Sequence, residues 1–182
     1  RPAVPMLPAA AACLGASGLA SADATSDGVA AATQAIAKYR AKPVFTAPGA
    51  AFDARQCAAG KKMLSIPNSS ANPFLKGIIK REGVVGQELG LQVQEWQNQG
   101  QPSQWAQGVE FAVRNKFDII NLISGVDPKT LEPQIRAAKA AGVRTMTSHF
   151  YDPSQPVNPL TAASLPVGFN QIGKLLADWA TM

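Results

Sequence analysis

A chain of 182 residues with 46% hydrophobic and 16% charged side chains holds enough apolar surface for one domain with a real core, and its composition is not that of a disordered protein. The net charge of +5 comes from Lys and Arg residues scattered along the chain, with no basic stripe interleaved with aromatics, which argues against a nucleic-acid partner. Two cysteines, Cys13 and Cys57, and a single histidine, His149, in no metal-ligand spacing, exclude a structural zinc and any two-histidine catalytic arrangement.

Residues 1–22 begin on Arg1, pass through an Ala- and Leu-rich run from Met6 to Leu19 and close on Ala20-Ser21-Ala22, the three parts of a secretory signal peptide. The apolar run falls short of the roughly 20 residues of a permanent membrane helix, so no stable membrane span is expected. Cleavage after Ala22 would leave Asp23 as the mature N-terminus and place the protein outside the cytoplasm; the alternative is an Ala-rich disordered tail. Cys13 raises a lipoprotein variant, against which stand the alanines before it, where a bulky aliphatic residue is expected. If Cys13 leaves with the signal, Cys57 has no partner within the chain and is expected as a buried thiol rather than a reactive one.

Between residues 23 and 40, Val29, Ala32, Ile36 and Tyr39 follow helical spacing, with Ser26 or Asp27 able to cap. Pro43, Pro48 and Gly49 then break regular structure, and residues 41–60 read as an extended arm without chemistry. After Gly60 the pattern alternates. A strand over 62–66 leads through Pro67-Asn68-Ser69-Ser70-Ala71-Asn72-Pro73-Phe74 into a helix that Gly90 ends. A second strand over 91–96 and a polar loop that includes Gln99 lead to a helix over 102–115. A third strand over 117–123 is followed by Ser124-Gly125-Val126-Asp127-Pro128, which opens a helix running to Ala141, and a fourth strand covers 143–147. Beyond it stand Ser148, His149, Phe150 and Tyr151, a Pro-rich passage to Pro166, and a final segment with helical periodicity at Ile172, Leu175, Leu176 and Trp179.

Short apolar strands alternating with helices of about 10 to 16 residues predict an α/β domain, a doubly wound parallel sheet with helices on both faces. In such sheets ligands bind at the carboxyl ends of the strands. The small polar residues and the aromatic ring between Asn68 and Phe74 stand at such an end.

In order and spacing, the Asn72-Pro73-Phe74 turn, the strand ending Asp118-Ile119-Ile120, the Gly125-Val126-Asp127-Pro128 helix start, the Ala140-Ala141-Gly142-Val143 link and the Gly173-Lys174-Leu175 helix together resemble the type I periplasmic sugar-binding proteins of ABC importers, the ribose-binding-protein-like family. The resemblance covers roughly residues 61–180. It implies a flavodoxin-like N-terminal lobe over 61–166, followed at 167–182 by the first helix of a second lobe, so that the chain is truncated; residues 1–22 are then the signal remnant and 23–60 an N-terminal helix and arm. It further implies that Asn72 hydrogen-bonds ligand hydroxyls, that Phe74 stacks on an apolar ring face, that Ser69 and Ser70 add hydroxyl contacts, and that Gln99 and Asp127 stand at neighbouring loops. Asn72 and Asp127 are equally able to act only as helix caps, and Phe74 as core. At the fourth loop the chain departs from the family. Pentose and hexose binders carry an Asp-Arg pair there, whereas this chain has His149 and Phe150, preceded by Ser148 and followed by Tyr151. A less polar pocket follows, with His149 either a pH-sensitive contact or a plain wall residue.

The function implied is extracytoplasmic capture of a small sugar or sugar-like ligand for delivery to the importer's membrane subunits, with no cofactor, no metal and no chemical step. The alternatives are a ligand-sensing domain of a signalling receptor and a flavodoxin-like enzyme. Against the enzyme, Arg55 stands where a Walker loop before Gly60-Lys61 would need glycine, and no Gly-x-Ser-x-Gly elbow occurs.

Overall fold

The structure, a computed structural model, describes residues 19–47 and 49–182. The signal-like segment up to residue 18, Cys13 within it, and Pro48 lie outside the described residues. The described chain divides into two compact units, one formed by residues up to Thr46 together with 171–182, the other by Ala47–Asn170.

In the first unit, helix α1 (Leu19–Ala37) runs straight through Ser26 and Asp27, so neither residue caps it, contrary to the sequence reading. Ala32 is its buried residue, while Tyr39 lies beyond the helix end and is exposed. The unit's other helix is the body of α6 (Phe169–Thr181).

The second unit is built on a five-stranded parallel sheet of order β2-β1-β3-β4-β5, from β1 (Lys62–Pro67), β2 (Gln92–Glu95), β3 (Ile119–Ile123), β4 (Arg144–Ser148) and β5 (Ala163–Leu165). The four expected strands stand within two residues of their predicted places. The fifth, inside the Pro-rich passage, was not expected: its three residues lack an apolar run and are held by pairing with β4, Met146 opposite Ala163, and by a Thr147–Ser164 hydroxyl contact at 3.1 Å.

Side chains alternate between the two faces of each strand. Leu64, Ile66, Ile120 and Leu122, all fully buried, meet Val109 and Ala112 of α4 (Pro102–Arg114) and Ile135 and Ala138 of α5 (Glu132–Ala140). On the opposite face Ile123 packs on Leu75 and Ile79 of α3 (Pro73–Leu89). The doubly wound arrangement predicted from the sequence is therefore observed.

Local chemistry sets the helix ends. Asn72 Oδ1 accepts from the Phe74 amide at 3.0 Å with Pro73 in the first turn, and Gly90 closes α3 at φ 74°. A single helix was expected from Pro128. Instead a 3-10 turn (Pro128–Leu131) precedes α5, because Pro133 has no amide hydrogen with which to continue the ladder across the junction.

Two further readings are corrected. Residues 41–60 are not wholly extended, since Asp53 Oδ1 takes the amides of Arg55 and Gln56 and starts a short helix, α2 (Ala54–Ala58). Cys57 sits on that helix and is an exposed free thiol, not a buried one. With only five residues and none of them buried, α2 offers the thiol no interior to enter.

Candidate functional site

Three backbone bonds, after β1, β3 and β4, assemble the carboxyl edge of the sheet. The amide of Asn68, after β1, donates to Ile123 O at 3.1 Å; that of Ser124, after β3, to Ser148 O at 2.9 Å; that of His149, after β4, to Leu165 O at 3.1 Å. Ser124 and His149 leave their strands in the left-handed region, at φ 50° and 56°. For residues with a Cβ this costs about 1–3 kcal/mol each, and such strain collects where a loop must be aimed.

Asn68 is the hub of these loops. Gly100 (φ +86°) and Gly125 (φ +93°) approach it from either side, so closely that a Cβ at Gly100 would stand 3.2 Å from Asn68 O and one at Gly125 3.4 Å from Asn68 Nδ2. The β2 loop is fastened to the β1 loop by buried Asn98, whose Nδ2 donates to Pro67 O (3.0 Å) and Trp96 O (3.2 Å), and whose Oδ1 accepts from the Gly100 amide (2.9 Å). Ser70 N donates to Asn98 O at 3.0 Å and Ser70 Oγ accepts from the Asn98 amide at 3.1 Å. Trp105 Nε1 closes the lock on Asn68 O at 3.1 Å and Asn98 Oδ1 at 3.2 Å.

Phe74, in the first turn of α3, is 61% exposed and so is not core. It meets the half-buried His149 ring edge to face, with centroids 6.0 Å apart, and His149 Nδ1 is buried without a hydrogen-bond partner among the described residues. The structure thus brings Ser69, Asn72, Phe74 and His149 to one edge. Asn72 and Asp127 do cap: Asp127 Oδ1 accepts from the Lys129 amide at 2.9 Å. Capping engages only one side-chain oxygen of each, leaving Asn72 Nδ2 and the second Asp127 oxygen with bonding capacity. Gln99 is exposed on the β2 loop. Ser148 is turned inward, its hydroxyl donating to Asn121 Oδ1 at 3.1 Å. Tyr151 meets Phe150 edge to face with ring centroids 4.7 Å apart, and its hydroxyl accepts from Asn158 Nδ2 at 2.9 Å, which ties it to the following loop.

Beneath this edge runs a polar ladder that the sequence reading missed. Glu82 of α3 accepts from Ser65 Oγ at 2.6 Å and from Asn121 Nδ2 at 2.8 Å, and Asn121 passes the chain on to Ser148. Burial pushes the Glu82 carboxyl above the usual glutamate range, while the bonds from Ser65 and Asn121 and the charge of His149 pull it back. Its signal in the sequence was a lone Ser and a lone Asn inside two otherwise apolar strands. Among the described residues no cluster of His, Cys, Asp and Glu is suited to a metal ion, and no helix is long and apolar enough to cross a membrane.

In open parallel α/β sheets the loops after the strands' carboxyl ends are the usual place for a ligand, and here three of them meet at Asn68, with the Phe74 and His149 rings in contact at the same edge. No family model matches the chain, and no curated protein matches it in sequence. Among solved structures, LsrB from Clostridium saccharobutylicum in complex with AI-2 matches 64% of this chain and 35% of its own, at 23% identity and a TM-score of 0.55. An ABC transporter solute-binding protein from Clostridium phytofermentas with bound L-rhamnose matches 67% of this chain and 37% of its own, at 18% identity and a TM-score of 0.56. The 5-methylthioribose transporter solute-binding protein of Thermotoga lettingae matches 65% and 38%, at 18% identity and a TM-score of 0.51. The fold is thus that of one lobe of the type I ABC solute-binding proteins, and the chain spans a little over a third of the length of these structures.

Proposed function

We propose that this chain supplies one wall of an extracytoplasmic solute-binding site that serves an ABC importer, taking a sugar or sugar-like ligand and performing no reaction. The observation that carries this reading is the convergence of the β1, β2 and β3 loops on Asn68, with exposed Phe74 and half-buried His149 paired at the same edge. Asn72, Ser69, Gln99 and Asp127 are the hydrogen-bonding residues of the wall, and Phe74 and His149 its ring-binding residues. Of the sequence candidates, Ser148 acts from below by fixing Asn121, and Tyr151 by ordering its own loop. With His149 and Phe150 where sugar binders of the resembled family carry an Asp-Arg pair, the favoured ligand has fewer hydroxyls or bears an apolar or aromatic group. Residues 61–166 are the first lobe and 167–182 the opening helix of a second, delivered to the periplasm by the signal-like residues 1–22; the importer's membrane subunits are the partner.

A thermal-shift screen of the two-lobed protein against pentoses, deoxysugars and small aromatic polyols tests this. A ligand at a hundred times its Kd stabilises the folded state by about 2.7 kcal/mol and raises the melting temperature accordingly. Phe74→Ala is expected to weaken that ligand about fivefold to tenfold, the worth of one ring contact. The chain of 182 residues on its own is expected to bind far more weakly, since it buries only one side of the ligand. Equal affinity for the lone chain and the two-lobed protein would overturn the wall reading.

A further inference from the structure

We propose that the cleft between α5, the start of β4 and residues 160–162 binds a small organic carboxylate with an apolar body and a second polar group at its far end. The cleft lies within the sheet-bearing unit, toward the amino end of β4, and is independent of the wall at the strands' carboxyl ends. Its volume is about 320 Å³, and its walls are Ile135 and Lys139 of α5, Thr145 of β4, and Leu160 and Thr161. That is within the range of small-ligand sites. Strand alternation fixes where Thr145 points. It stands opposite Ile120 in register, and Ile120 belongs to the cluster that holds Ile135 and Ala138, so the Thr145 side chain faces α5 and the cleft.

Thr145 is only 3% exposed, yet its hydroxyl has no hydrogen-bond partner among the described residues. Thr147, two positions on and on the same face, has its hydroxyl paired with Ser164 at 3.1 Å. A buried hydroxyl left unpaired is a cost that a bound polar group removes. Thr161 Oγ1 donates to Asn158 O at 2.9 Å and keeps its lone pairs for a donor. The charge at the mouth is positive. Lys139, one turn beyond Ile135, is exposed and makes no ion pair among the described residues, and no acidic residue lines the cleft. Arg144 also borders the mouth, but alternation turns its side chain away from Thr145, so it contributes through its charge. Asp118, whose carbonyl takes the Arg144 amide, does not neutralise it, because its carboxylate is held by Lys61 Nζ at 3.1 Å and the Lys62 amide at 2.9 Å. A cation outside, apolar walls between and an unpaired hydroxyl within select a ligand that is anionic at one end and polar at the other.

Titration of the full 182-residue chain with benzoate, 4-hydroxybenzoate and the neutral benzamide, followed by amide NMR and calorimetry, tests this. Shifts are expected over residues 135–145 and 160–162, and not at 68–74 or 149. 4-Hydroxybenzoate is expected to bind about threefold to tenfold more tightly than benzoate, the worth of one hydrogen bond, and benzamide about fivefold more weakly. Lys139→Gln is expected to weaken benzoate about fivefold and to leave benzamide unchanged, while Arg144→Gln costs benzoate about twofold. Thr145→Val keeps the side chain's shape. It is expected to leave benzoate affinity and the melting temperature undiminished, since no hydrogen bond of the fold is lost, and to bring 4-hydroxybenzoate down to the level of benzoate. The absence of any shift at ligand concentrations up to about 10 mM overturns the proposal. So do shifts gathered at the strand-end loops instead of the cleft, benzoate binding indifferent to Lys139→Gln, or a preference for 4-hydroxybenzoate that survives Thr145→Val.

Discussion

Glu82 is a carboxylate placed where a carboxylate is not at ease. It leans over the sheet with Ser65 and Asn121 fully or nearly fully buried beneath it, and the two hydrogen bonds it receives offset only part of the desolvation, which leaves its proton affinity raised. A carboxyl whose folded pKa lies above its unfolded value holds its proton more tightly when folded. Its contribution to stability is present below the ordinary glutamate range and is lost as pH rises through the folded value. Glu82→Gln removes this titration and keeps the geometry, since the amide oxygen accepts from Asn121 and the amide group donates to the Ser65 hydroxyl. We expect the stability of Glu82→Gln relative to the parent to improve steadily as pH is raised from about 4 to 7, as read from urea midpoints. A difference that does not change with pH would show that burial of this carboxyl is not a stability term. Glu82→Leu removes the same titration and is expected to follow the same pH trend, but from a lower level, because it strands the buried Ser65 and Asn121 groups at about 1–3 kcal/mol each.

At the scale of the elements, the site depends on a lock between two loops rather than on any one strand. Asn98 satisfies Pro67 O, Trp96 O and Gly100 N at once, and alanine would leave these groups unbonded beneath the β1 and β2 loops. Asn98→Ala is expected to destabilise the fold by about 2–4 kcal/mol in chemical denaturation, with far-UV circular dichroism unchanged and faster amide exchange over residues 97–101. A loss below about 1 kcal/mol would place the lock elsewhere. Elements with a local cause were legible in the sequence: Pro73 and Pro102 at helix starts, Gly90 and Gly142 at helix ends, apolar runs for β1 and β3. Elements with a distant cause were not. Strand β5 exists only through β4, and α2 is steadied by Arg55, which donates to Glu88 O at 2.6 Å from 33 residues away. The site divides in the same way. Asn72 and Phe74 announce themselves through a turn motif, whereas the Ser65–Glu82–Asn121 ladder arises from the register that sets Ser65 beside Asn121 and from the path of α3 over both.

Over the whole molecule, the sheet-bearing unit has a core of its own. Among the described residues, both buried apolar clusters and the hydrophobic residues packed on them fall between Leu64 and Leu160, inside this unit. The last polar tie of the unit is the Asn170 amide on Asp152 Oδ2 at 3.1 Å, so the unit closes where α6 begins. Asp152 also takes the hydroxyl and amide of Ser154, and these bonds hold its carboxyl below the usual aspartate range. Beyond that tie, Ile172, Leu176 and Trp179 recur at helical spacing and are exposed, an apolar stripe on α6. A fragment of residues 47–170 is therefore expected to retain the five-stranded sheet and to unfold in one cooperative transition within about 5 °C of the full chain, a change worth on the order of 1 kcal/mol. It is also expected to be the more soluble of the two, having lost the stripe. Thermal melts followed by circular dichroism and calorimetry check this. A fragment that melts without cooperativity would mean that α1 or α6 carries part of the sheet's stability through contacts outside the two clusters.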